Sequence, residues 1–136
     1  MKKSFLFAII TLLLVSPTCF AYKISTSGKT ITLKMKHPSV GIVGLNAVGW
    51  EDDPNEIQKD IYDLFRGPLD SQKKGDYTVA VYWVGKDHYG HYSESYAGSF
   101  TISADELKRY KDYASAKWYL SIEQKLYKLA FGNRRF

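Results

Sequence analysis

The 136-residue chain carries 19 basic and 14 acidic residues, a formal net charge of +5, with 45% hydrophobic and 15% aromatic residues. That excess is too small an electrostatic footprint for a nucleic-acid binder. A single cysteine, Cys19, excludes an intrachain disulfide and a multi-thiolate metal site.

Met1-Lys2-Lys3 is followed by an apolar run from Phe5 to Val15, interrupted only by Thr11, and then by Ser16-Pro17-Thr18-Cys19-Phe20-Ala21. A charged start, an apolar centre and a polar stretch ending in a small residue form the pattern of a cleavable export leader. Pro17 interrupts any helix before the cut, which is expected after Ala21. The apolar run is shorter than the ~20 residues that span a bilayer. Cleavage would therefore leave no stable transmembrane segment. A lipoprotein acylated at Cys19 is the minor alternative, and Ser-Pro-Thr is a poor lead-in to such a site. Removing residues 1–21 from 136 leaves 115, the size of one domain, here 22–136. Cys19, Lys2 and Lys3 leave with the leader, so the mature domain has no thiol and a formal charge of +3.

Tyr22–Ser27 and Thr30–Lys36 read as two strands around Gly28-Lys29. In the second, Ile31, Leu33 and Met35 alternate with Thr30, Thr32, Lys34 and Lys36, the pattern of a strand with one wet face. His37-Pro38 ends it. Val40–Trp50, punctuated by Gly41, Gly44 and Gly49, reads as a bent or bulged strand. Asp53-Pro54-Asn55-Glu56 opens a helix: an N-cap, a proline at the first position and a capping-box acid. Ile57, Ile61, Leu64 and Phe65 form its apolar face. Gly67-Pro68 stops it, and a polar loop over 71–76 follows.

Tyr77–Val84 alternates with weight on both faces and reads as a central strand. A turn over 85–90 joins it to His91–Ile102, completing a β-hairpin. Ser103-Ala104-Asp105-Glu106 is a second capping box. The stripe Leu107, Tyr110, Ala114, Trp118, Ile122, Leu126 and Leu129 keeps one phase at 100° per residue. It predicts one long helix of roughly 40 Å at 1.5 Å per residue, with Trp118 in the core, Tyr127 exposed and Gly132 as the C-cap. Asn133-Arg134-Arg135-Phe136 is a basic tail. The predicted fold is α+β: a two-layer sandwich of a mostly antiparallel sheet packed by one short and one long C-terminal helix.

Chemistry-bearing motifs are weak. Ser27-Gly28-Lys29-Thr30 ends like a phosphate-binding loop, but Lys23 stands where the first glycine is needed and a strand follows in place of a helix. Ser71-Gln72-Lys73-Lys74 has acyl-transferase spacing in a polar loop, without the companion motifs. Glu51-Asp52-Asp53 is accounted for by helix capping and the helix dipole. Asp87, His88, His91 and Glu94 are the one cluster with metal-ligand chemistry. Their spacing on strands sends neighbours to opposite faces, and Asp87 and Gly90 are residues a turn needs anyway. No metal or other cofactor is expected.

The aromatic excess around the hairpin is the strongest surface signal. Tyr82, Trp83, Tyr89, Tyr92 and Tyr96 cannot all enter one small core, and rings with polar tips suit protein or sugar contacts. The candidate contact residues are Tyr82, His88, Tyr89, His91 and Tyr92, with Tyr82 and Tyr89 as the expected exposed pair. The expected function is a non-catalytic binding module, periplasmic or secreted, whose partner is a protein or glycan of the cell envelope. The alternatives are a small hydrolase or metal-dependent enzyme using His88 and His91, and an inhibitor or structural subunit docking through a strand edge.

Overall fold

The computed structural model describes residues 22–40 and 48–132. The leader with its cleavage point, residues 41–47 of the expected bent strand and the basic tail lie outside the described residues.

The architecture is α+β. Strands β1 (Lys23–Ser27), β2 (Thr30–Lys36), β5 (Asp76–Lys86) and β6 (Tyr92–Ser103) form one sheet in the order β1-β2-β5-β6. Its outer pairs are antiparallel and its central pair, β2 with β5, is parallel. Gly28, at φ +58°, supplies the left-handed residue of the tight turn between β1 and β2. β2 alternates as its sequence requires: Ile31, Leu33 and Met35 are fully buried. Beyond it, β3 (Ser39–Val40) and β4 (Val48–Gly49) pair antiparallel. Val40 and Val48-Gly49, expected in one bent strand, therefore belong to two strands that run antiparallel.

Helix α1 (Pro54–Arg66) starts where the sequence places it, with Asp53 accepting from the Asn55 N–H at 2.9 Å. Ile57, Ile61 and Phe65 are buried, joined by Tyr62 and Gln58, while Leu64 is half-buried. This helix is the crossover that returns the chain for β5 to enter parallel to β2. The acids before it each have a structural partner. Asp52, buried, accepts the Lys36 backbone N–H at 2.8 Å. Glu51 pairs with the Lys36 ammonium at 2.8 Å and raises its pKa.

The C-terminal helix is bent and shorter than predicted. Ser103 caps as expected, accepting the Glu106 N–H, but α2 spans only Ala104–Leu107. Asp112 then accepts from Ser115 N at 2.9 Å and opens a new helix, α3 (Tyr113–Leu120). Ser121, at φ +44°, bends the chain into α4 (Ile122–Phe131). Gln58 of α1 braces the bend, accepting the Ile122 N–H at 2.9 Å and donating to the Tyr113 hydroxyl. The break over 108–112 shifts the helical phase, so α3 buries Ala116 and Leu120. Trp118, predicted in the core, is 77% exposed. Tyr127, predicted exposed, is half-buried, its ring 5.1 Å from that of Phe131.

A consequence is measurable. Trp118→Ala should leave the urea unfolding midpoint nearly unchanged, within about 0.5 kcal/mol, as for other surface substitutions. A loss of several kcal/mol would restore the continuous helix.

The helices lie on the sheet face bearing Leu33, Val79, Val81 and Ile102, all fully buried. The opposite face, bearing Thr32, Lys34, Thr78 and Tyr82, is covered by no described element. No described helix is long and apolar enough to cross a membrane.

Candidate functional site

The hairpin tip is built by Asp87. Its Oδ1 accepts the backbone N–H groups of Tyr89 and His91 at 2.9 and 2.8 Å. Its own N–H donates to the His91 carbonyl, and its carbonyl accepts from Gly90. Gly90, at φ +83°, takes the left-handed position. The turn chemistry seen in the sequence thus accounts for Asp87. His91 stays near it, Nδ1 to Oδ2 at 3.4 Å. The His88 ring centroid lies 3.9 Å from that of Tyr89, whose ring is in turn 6.2 Å from that of His91. Glu94 pairs with Lys34 of β2 at 3.1 Å. The tip keeps His91 beside Asp87 and Glu94 goes to Lys34, and no group of three or more His, Cys, Asp or Glu side chains among the described residues is placed to hold a metal.

The aromatic residues of the hairpin sort by face. Tyr89 is 75% exposed and Tyr92 66%. The Lys86 ammonium lies 5.0 Å from the Tyr92 ring centroid. Tyr82 is half-buried, so the expected exposed pair of Tyr82 and Tyr89 is replaced by Tyr89 and Tyr92. Trp83 faces the helices, edge-on to His37 at 4.9 Å, and His37 in turn meets Phe131. That trio closes one end of the core.

Strict alternation misplaces Tyr96, and with it Tyr92 and Glu94. Counting by twos puts all three with Gly98, Phe100 and Ile102. The register instead shifts between Val81, opposite Gly98, and Tyr82, opposite Tyr96. Ala97 is the extra residue of a β-bulge, and the bulge re-aims Tyr96 onto the open face. Its ring packs 5.4 Å from Tyr82 and remains 61% exposed. The small residues Ala97-Gly98 inside an aromatic strand were the available signal.

Elsewhere, Lys29 donates its ammonium to the carbonyls of Gln72 and Lys74 and lies 4.4 Å from the Tyr77 ring centroid. The apparent phosphate loop is a hairpin turn with its lysine engaged. Ser71 is exposed within a 3-10 turn, Asp70–Gln72. An open groove of about 500 Å³ lies between Tyr22, Asn55, Glu56, Lys59, Asp60 and Tyr113. The Tyr22 hydroxyl donates to Asp60, and burial, then the Asp60 carboxylate, push its pKa up. That contact ties the start of β1 to α1. Lys125, half-buried near the rings of Phe100 and Tyr119, has its pKa lowered by burial.

No family model, curated protein or solved structure matches the chain.

Proposed function

We propose that the protein is an exported, non-catalytic binding module whose contact surface is the aromatic β5–β6 hairpin, and whose partner is a protein or glycan of the cell envelope. The observation that carries this reading is the exposure of Tyr89, Tyr92 and Tyr96 on one hairpin. Exposed rings anchored on strands offer large contact area at little cost in rotamer entropy. Support for export is the leader pattern of residues 1–21. The engagement of Asp87 with the tip backbone weakens the alternative of an enzyme built on His88 and His91, since the nearest carboxylate is occupied as a turn acceptor.

The test uses the exported protein and a Tyr89→Ala/Tyr92→Ala variant as baits on envelope extracts of the native host. The variant should unfold within about 0.5 kcal/mol of the parent. Its retention of the partner captured by the parent should fall at least about tenfold, the effect of losing central aromatic contacts. The intact mass of the same preparation should correspond to a chain starting at Tyr22. Undiminished capture by the variant would move the contact surface off the hairpin.

A further inference from the structure

The register across the sheet sets out what the face opposite the helices presents among the described residues. One row reads Lys23, Lys34, Tyr82, Tyr96 across all four strands. The next row toward the tip places Lys36 and Glu94 on either side of Val84, and beyond it Lys86 sits opposite Tyr92. Away from the tip, the rows are nearly all hydroxyl-bearing: Ser25 and Thr32 with Ser99, then Thr30 with Thr78 and Thr101. Neighbouring strands are ~4.8 Å apart and same-face residues ~6.7 Å apart. The face is thus a shallow lattice of hydroxyls with two adjoining tyrosine rings at one end.

Charge is unevenly placed on it. Lys23 stands directly opposite Lys34, and like charges in that position are destabilising. Glu94 reaches Lys34 at 3.1 Å, and Glu51 reaches Lys36 at 2.8 Å. Among the described residues, Lys23 and Lys34 thus share this end of the sheet with Glu94. An anion lying between Lys23 and Lys34 would relieve their repulsion. The bulge that turns Tyr96 outward places a flat aromatic surface immediately beside this pair.

We propose that this face binds an acidic polysaccharide. Tyr82 and Tyr96 stack against sugar C–H faces, the Ser/Thr rows exchange hydrogen bonds with sugar hydroxyls, and the uronate carboxylates pair with Lys23 and Lys34. Single-stranded nucleic acid also uses cations and stacked rings. The hydroxyl rows and the small net charge favour the sugar polymer. The proposal rests on the binding-module reading and names its ligand class, but it fails separately from it.

The experiment is isothermal titration of the exported protein at about 50 mM salt, where screening is modest, with oligogalacturonate, uncharged dextran oligomers and oligothymidylate as probes. Oligogalacturonate should bind, weaken as salt rises, and exceed dextran at least about tenfold. Tyr96→Ala and Lys23→Gln should each weaken it about tenfold, whereas Trp118→Ala, on the helical side of the molecule, should not. Urea unfolding of each variant confirms that it folds. Absence of oligogalacturonate binding, or tighter binding of oligothymidylate, overturns the proposal. So does Lys23→Gln that binds normally but self-associates, since Lys23 would then act only to blunt an edge strand. If oligogalacturonate fails while envelope capture remains sensitive to Tyr89 and Tyr92, the glycan proposal falls and the binding-module reading stands.

Discussion

Tyr77→Ala should cost about 3–5 kcal/mol of stability, the usual result of emptying a buried aromatic site. Tyr77 is fully buried at the start of β5. Its ring meets Phe65 of α1 edge-on at 4.9 Å, and the Lys29 ammonium lies over it. Its hydroxyl donates to the Gln72 carbonyl at 2.7 Å. One side chain thus joins the sheet, the crossover helix, the first hairpin turn and the 3-10 turn. Tyr77→Phe keeps the ring packing and loses only the hydroxyl, so it should cost about 1 kcal/mol. Equilibrium urea unfolding of the three proteins measures both. Equal, small losses for both substitutions would mean that the ring is not a core element.

Gly98→Ala should be nearly as damaging, by about 2–4 kcal/mol. Two causes add. Gly98 has φ +137°, a conformation L side chains rarely adopt, costing about 1–3 kcal/mol. A Cβ there would also lie 2.6 Å from the Leu129 Cδ2 of α4, so the end of that flexible side chain must turn aside, a smaller addition of about 1 kcal/mol. The two are separable by a double-mutant cycle. In a Leu129→Ala background the alanine at 98 should cost less by about 1 kcal/mol or more, because the clash is gone and only the backbone strain remains. An identical cost in both backgrounds would contradict the close approach of α4 to β6. The result also bears on function, since the same bulge that needs Gly98 sets Tyr96 on the open face.

Much of this architecture was legible because each signal was local. The alternation of Thr30–Lys36, the cap at Asp53 with Pro54, the Gly28 turn and the Asp87–Gly90 tip each depend on a few adjacent residues. The parallel pairing of β2 with β5 was not, since it depends on α1 crossing the sheet, which no local pattern encodes. The C-terminal stripe failed for a related reason. Periodicity assumes an unbroken helix, and Asp112 carried a second N-cap signal inside it. Once the phase restarts, Ala116 and Leu120 enter the core and Trp118 leaves it. For the candidate site, the exposure of Tyr89 followed from its place in the turn. That of Tyr92 and Tyr96 did not, because one extra residue in a strand inverts every orientation on one side of it.

Trp118 makes the helical side a competitor to the hairpin, since it is the other large exposed ring of the described residues. The most direct measurement therefore compares the two surfaces in the native host. A photocrosslinking amino acid is installed at position 89 in one strain and at position 118 in another, and adducts are resolved after irradiation of intact cells. A defined higher-mass adduct from position 89, absent from position 118, is the expected result. An adduct from position 118 with none from position 89 would contradict a contact surface on the aromatic hairpin.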